Sequence, residues 1–386
     1  MHMLDGNLKA LFPLAEEVAY LDTAAEGLPA PGCAEALRAY LRQKCRGALG
    51  LEHYLQTQLE TERAVARLLG TAAQDVVLLA NASEPLNLLA NSIDWRPGDR
   101  VLVTDLEFPS SVLPWLRMKP LGVEVEVIPS DCGIVELEQF QSRITEHTRV
   151  VAVSQVSYKS GTQIWYLRDL AEATHRAGGI LCVDATQALG RVPVSVEGVD
   201  FLVASGYKWL LGVHGLGVVY FAPALRQRLL PQTVGWYSVE DLFRPDRFER
   251  FSYKDGAGSL QPGMPNFPAI YALKTAVEFL LSIGVERINR ELCPLVAELR
   301  EGLQDLGASL LTPRDPRYAS GIVAFADEQA ASIGAALQSA GVVVWVGDGR
   351  VRASVHLYND RADIRCCLAA LQTILCGRNA GTLLQE

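Results

Sequence analysis

Short apolar runs recur along the first 221 residues, and they constrain the fold more than any other feature. They lie at 76–80, 101–104, 123–128, 150–154, 180–183, 200–204 and 217–221, with segments of helical period between several of them, clearest at 136–145 and 167–177. Runs of this length suit strands buried on both faces. Strands alternating with helices give a mostly parallel sheet covered on both sides, an α/β architecture. In such sheets ligands bind outside the carboxyl ends of the strands.

Two of those ends carry ionisable residues that packing does not explain. The run 180–183 ends in Asp184, with Gln187 three residues on, and the run 200–204 leads through Ser205, Gly206 and Tyr207 to Lys208. A third end, at residue 80, passes through Asn81, Ala82 and Ser83 into a helical run from Leu86 to Ile93. Ser83 reads as the N-cap there, and Pro85 falls in the first turn, where its missing N–H costs nothing. Such an entry presents unpaired backbone N–H groups to an anion such as phosphate. The bland readings are an N-cap role for Asp184, a snorkelling amine at Lys208 and an ordinary crossover turn at 81–83. Convergence of all three at the same kind of strand end favours a site.

The remaining pattern divides the chain. Residues 1–20 read as an arm and short helix joining a smaller C-terminal domain. Residues 33–69 are helical, interrupted near Gly47 and Gly50, with Leu59, Val65, Leu68 and Leu69 as the apolar stripe. The segment 232–268 is rich in Gly, Pro, aromatics and charge; a long irregular stretch inside a compact chain points to function or an interface. Residues 21–268 are expected to form a large domain. Residues 269–386 are expected to form a smaller α+β domain, with helices at 291–306, 328–340 and 361–376 and strands near 321–325, 342–346 and 350–355.

Composition narrows the classes. With 49% apolar and 20% charged residues the chain is an ordinary globular one, and its net charge of −9 opposes a nucleic-acid partner. No stretch reaches the ~18 apolar residues of a membrane span, and the N-terminus lacks a secretory pattern. Eight cysteines contain no CxxC pair. Reduced, buried thiols in a cytoplasmic protein, with no metal site, are the expectation.

Six stretches, in order, carry a resemblance. They are Tyr20-Leu21-Asp22-Thr23-Ala24-Ala25, Ser83-Glu84-Pro85-Leu86-Asn87, Val183-Asp184-Ala185-Thr186-Gln187-Ala188, Ser205-Gly206-Tyr207-Lys208, Pro262-Gly263-Met264-Pro265-Asn266 and Arg352-Ala353-Ser354-Val355-His356-Leu357-Tyr358-Asn359. The chain resembles the class V aminotransferases, pyridoxal phosphate (PLP) enzymes that include cysteine desulfurases, isopenicillin-N-epimerase-like proteins and kynureninases. The resemblance covers nearly the whole chain. It implies the type I PLP-dependent transferase fold, with a mostly parallel seven-stranded sheet, and a homodimer with its site at the subunit boundary.

The resemblance also implies residue roles. Lys208 would hold the cofactor as a Schiff base and move protons at the substrate Cα. Asp184 would keep the pyridine nitrogen protonated, and Gln187 would meet the phenolic oxygen. Ser205 and the amides of Ala82 and Ser83 would hold the phosphate, with Tyr207 in reach. Phe108 would stack on the ring, and Arg352 would grip the substrate carboxylate. Ala25 would lie against the substrate. Gly263 and Met264 would cross from the partner subunit to the phosphate, and Trp236 would line that boundary or sit in the core. His356 and Tyr358 read as packing residues.

Three departures bear on the reaction. Phe108 stands where desulfurases resemble one another in carrying a histidine, and phenylalanine cannot shuttle protons. Tyr207 replaces another histidine. The stretch 341–352, GVVVWVGDGRVR, has no cysteine where desulfurases carry a sulfur-accepting one. The expected activity is β-elimination, a C–S lyase acting on cysteine or an S-conjugate, as in lincosamide-type secondary metabolism, rather than persulfide formation. An aminotransferase or epimerase of the same family, and a catalytically silent regulatory homologue, are the alternatives.

Overall fold

Thirteen strands are defined in the computed structural model, which describes residues 8–382. They are β1 (Ala19–Tyr20), β2 (Val76–Leu79), β3 (Arg100–Thr104), β4 (Glu124–Ile128), β5 (Thr148–Ser154), β6 (Ile180–Asp184), β7 (Phe201–Ser205), β8 (Gly217–Phe221), β9 (Ser309–Leu310), β10 (Ile322–Ala326), β11 (Val342–Val343), β12 (Trp345–Gly347) and β13 (Arg350–Ser354). The seven apolar runs become one sheet in the order β2-β8-β7-β6-β5-β3-β4. All pairings within β7-β6-β5-β3-β4 are parallel; β8 alone runs antiparallel to both its neighbours. The cause is local. The β7–β8 connection contains no crossover helix, so the chain returns directly.

Burial follows position in the sheet. Every residue of β2, β6 and β8 is buried, whereas β4 at the edge turns Glu124 to solvent and leaves Val127 half exposed. Arg100 and Arg143 pair with Glu126, placing charge on that edge. Helix Phe267–Ile283 packs against Cys33–Lys44 and Leu51–Leu69 to cover part of the core.

A second sheet, β12-β13-β10-β9, is wholly antiparallel. Helices Val285–Asp305 and Ala330–Ser339 pack against it, and Arg361–Thr382 packs against both helices. β1 pairs in parallel with β11, tying the start of the described chain to this C-terminal unit. The expected strand 342–346 is split: β11 pairs with β1, whereas β12 pairs with β13.

Four sequence expectations need correction. Ser83 is the first helical residue of Ser83–Ser92, not its cap; Asn81 Oδ1 accepts the Glu84 N–H at 2.9 Å and supplies the cap instead. Leu59 is exposed, because the buried face of Leu51–Leu69 runs through Tyr54, Gln58, Thr61, Val65 and Leu69. Helix Leu137–Gln141 ends short of 145. The cysteines are free, but Cys45, Cys132, Cys366 and Cys376 are exposed rather than buried. Among the described residues, no single helix is long and apolar enough to cross a membrane.

Candidate active site

A cavity of about 140 Å³ opens at the carboxyl ends of β5, β6 and β7. Ala82, Ser83, Phe108, Asp184, Gln187, Ser205, Tyr207 and Lys208 all line it. The β6–β7 register pairs Asp184, the last residue of β6, with Val203, so β7 runs two residues further and both strands deliver their terminal residues to the same edge of the sheet.

Lys208 sits just beyond β7, with its Nζ 5.6 Å from the Phe108 ring centroid and 5.7 Å from that of Tyr207. Burial, then the Arg352 charge, pushes its ammonium down to about 8; Asp184, Glu26 and Asp22 oppose the shift. A useful fraction is therefore neutral amine, able to attack an aldehyde or take a proton.

Asp184 is held by both oxygens. Ser111 Oγ donates to Oδ2 at 2.8 Å, and the Thr186 N–H donates to Oδ1 at 2.8 Å. Next to it lies Glu107, fully buried, accepting from Thr104 Oγ1 at 2.8 Å and Ser154 Oγ at 2.5 Å. Burial pushes the Glu107 carboxyl up to about 7, and the Asp184 charge adds to the rise.

Gln187 is clamped in one orientation. Its Nε2 donates to the Ala24 carbonyl at 3.0 Å and its Oε1 accepts from Trp209 Nε1 at 2.7 Å, leaving one amide N–H to spend. Among the described residues, no protein acceptor meets the amides of Ala82 and Ser83 at the start of Ser83–Ser92. Gly217 packs beneath them: a Cβ there would lie 2.7 Å from the Asn81 carbonyl carbon.

Arg352, on β13 of the other sheet, does not itself line the cavity; it is anchored to Tyr158, which does. Its Nη1 donates to the Tyr158 carbonyl at 3.0 Å, Nη2 lies 3.9 Å from Asp22 Oδ1, and Nε has no acceptor. Burial pushes its guanidinium down to about 10, against the Asp22 charge. Asp22 is in turn pushed up to about 6 by burial, with Arg352 resisting.

Some expected residues lie elsewhere. Ala25 is half-buried, its N–H turned back to the Asp22 carbonyl, and it does not line the cavity. Gly263 and Met264 are outside it, with Met264 47% exposed. Trp236 is not in the core: half exposed, it packs edge-on against Tyr237. His356 and Tyr358 are fully buried. His356 Nε2 lies 3.0 Å from the Trp209 carbonyl, and burial pushes its imidazolium down to about 3, so it is a neutral packing residue.

Sequence reasoning missed Asn81, Ser110, Ser154, Val156, Tyr158 and Thr186 in the lining. Ser154 was reachable, because it ends an apolar run and is the cross-strand partner of Asp184. Tyr158 and Asp22 carried no such signal.

The donor set suits a pyridine phosphate bearing an aldehyde. It offers a low-pKa amine, a fixed carboxylate, one spare amide N–H and two unpaired backbone N–H groups. The comparisons agree with that chemistry. The Aminotransferase class-V family model matches residues 19–372. A probable cysteine desulfurase of Methanothermobacter thermautotrophicus is 27% identical over 390 residues, covering 94% of this chain and 96% of that relative. The uncharacterized aminotransferase YcbU of Bacillus subtilis is 26% identical over 367 residues, covering 95% and 96%. The apo structure of a cysteine desulfurase from Thermococcus onnurineus NA1 superposes with a TM-score of 0.89 at 27% identity, covering 98% of this chain and 99% of that one. The chain belongs to the class V aminotransferase family and is a pyridoxal-phosphate enzyme of the type I fold that acts on amino acids.

Proposed function

We propose that the enzyme catalyses β-elimination, releasing a thiol from cysteine or a cysteine S-conjugate. One observation carries the reading: the segment before Arg352 is a tight hairpin, β12 to β13, turning at Asp348 and Gly349, with no cysteine to accept sulfur. Phe108 supports it, because proton handling then falls to Lys208 rather than to a residue above the ring.

When bound, the cofactor supplies an electron sink for the bond pair released at the substrate Cα. The protein's residues do the rest. Asp184 would pair with the ring nitrogen and favour its protonated form, and the spare N–H of Gln187 would donate to the phenolic oxygen. The amides of Ala82 and Ser83, with Ser205 and Tyr207, would hold the phosphate. Arg352 holds the α-carboxylate, and the amine of Lys208 removes the Cα proton. The thiolate then leaves Cβ with the C–S electron pair. Overall, conjugate and water give thiol, pyruvate and ammonium. We place Gly263, Met264 and Trp236 at the boundary of a cytoplasmic homodimer. The domain division at 20/21 and 268/269 is part of the same reading.

Incubation of the holoenzyme with cysteine S-conjugates and with plain amino acids tests it. Pyruvate and thiol in equal amounts are expected. Stoichiometric amination of the cofactor with keto-acid release would instead mark an aminotransferase, and a protein-bound persulfide would mark a desulfurase.

A further inference from the structure

Arg352 has a companion two residues earlier. Arg350 is 2% exposed, lies on the same face of β13, and is two residues away, so the two Cα atoms are about 7 Å apart. Both guanidinium groups lie 5.0 Å from the ring centroid of Trp345, the cross-strand partner of Arg352. The other neighbour of Arg350 is Tyr158, its ring centroid 5.1 Å away, and Tyr158 lines the cavity. Tyr158 also packs edge-on against Phe108 at 5.0 Å. A continuous row thus runs from Phe108 through Tyr158 and Arg350 to Trp345 and Arg352.

Small residues opposite the arginines leave room for this row. On β10 their cross-strand partners are Ala326 and Ala324, both small. On β12 Gly347 stands opposite Arg350, and a Cβ there would lie 2.8 Å from the Trp345 ring. Glycine therefore lets Trp345 lie along the strand toward Arg350.

Each arginine makes one hydrogen bond to the protein through Nη1, and Nη2 of Arg352 also lies 3.9 Å from Asp22 Oδ1. Nη1 of Arg352 is used by the Tyr158 carbonyl, and Nη1 of Arg350 by Asp348 Oδ2 at 2.6 Å. In both, Nε is buried with no acceptor. Aromatic faces satisfy the guanidinium planes but not the in-plane N–H groups. A buried, unsatisfied donor asks for a partner, and the side-on edge of Nε and Nη2 matches a carboxylate. The Asp348 pairing is solvent-exposed on the carboxylate side and weak for that reason.

We propose that Arg350 is a second anion-binding residue of the site, so that the preferred substrate is an amino acid carrying a carboxylate on its side chain. Arg352 takes the α-carboxylate and Arg350 the distal one. The proposal rests on the cavity being the amino-acid site, but not on the reaction that follows. For a lyase, it selects S-conjugates whose departing thiol is itself acidic.

Equilibrium binding of glutarate and butyrate to the holoenzyme, by calorimetry, tests it without turnover. Glutarate is expected to bind at least tenfold more tightly. Arg350→Gln should collapse that ratio toward one, with the loss falling on glutarate, while the visible absorbance of the lysine-bound cofactor is retained. Asp348→Asn, which removes the competing carboxylate, should tighten glutarate binding. Kinetics with S-carboxymethylcysteine against S-methylcysteine should show the same collapse, in KM rather than kcat. A glutarate preference that survives Arg350→Gln, or an equal loss for both acids, overturns the proposal. Arg352→Gln separates the two levels: if it leaves both acids binding as before, the amino-acid site itself is misplaced.

Discussion

Lys208 shows how burial turns a common side chain into a reactive one. Its ammonium loses solvation and faces Arg352, and three carboxylates only partly compensate, so it is pushed down to about 8. Cofactor capture by the apo-protein requires the neutral amine. Its rate should therefore rise about tenfold per pH unit below 8 and flatten above it. Stopped-flow absorbance between pH 6.5 and 10 reads this directly; a rise that continues unabated to pH 10 would mean an ordinary, solvated lysine. Arg352 makes a different prediction. Its Nη1 anchors the Tyr158 carbonyl, its buried Nε has no acceptor, and its Nη2 has only Asp22 Oδ1 at 3.9 Å. Lysine supplies the charge without that fork. Arg352→Lys should raise KM for amino acids about tenfold or more, and Arg352→Ala about a hundredfold, near the ~3 kcal/mol upper range of a charged hydrogen bond. Steady-state kinetics with kcat in view decide: a fall confined to kcat would remove Arg352 from carboxylate binding.

At the scale of elements, the strand ends of one sheet assemble the site, and the same ends create its buried electrostatic tension. Glu107 follows β3, and Ser154 at the end of β5 holds it beside Asp184. Its folded pKa, pushed up to about 7, exceeds the unfolded value of about 4.3. The folded state binds the proton more tightly, so this stabilisation is full below about 4.3 and is lost as pH rises through 7. Glu107→Gln stays neutral. Relative to wild type it should gain on the order of 1–3 kcal/mol between pH 4.5 and 8. Urea unfolding of the two apo-proteins across that range measures it, and a difference independent of pH would show that Glu107 does not carry the proton. Such elements also explain what the sequence could reveal. Apolar runs ending in Asp184 and Lys208 are local patterns, and strand ends in a parallel sheet converge by geometry alone. Asp22 is placed by its bridge to Ser354 on β13, and Tyr158 meets Arg350 and Arg352 through contact between the two sheets. Those relations join residues more than a hundred positions apart and leave no local period. The split of 342–346 was hidden for the same reason, since its two halves differ only in their partners.

At the scale of the whole molecule, the irregular stretch 232–268 carries an unusual surface. Phe243 is 83% and Phe248 88% exposed, with Val234, Trp236, Phe251 and Met264 also open to solvent. Single exposed apolar residues need no explanation, but so many on one segment mark an interaction surface. A segment with one short helical turn at Ala257–Leu260 cannot bury these rings against itself. In the proposed homodimer a second copy of the chain would cover this stretch. Burying each phenylalanine contributes about 1.5–3 kcal/mol, so two of them account for a hundredfold or more in association. Phe243→Asp with Phe248→Asp should therefore shift the protein from dimer toward monomer at micromolar concentration, as read by sedimentation velocity. Because no residue of this segment lines the cavity, the monomer should still capture cofactor through Lys208; if Gly263 and Met264 of a second copy cover the phosphate as proposed, the monomer should lose cofactor faster on dilution. Retention of the dimer in the double variant would place the subunit contact elsewhere. Dissociation with unchanged cofactor loss would separate dimerisation from the site.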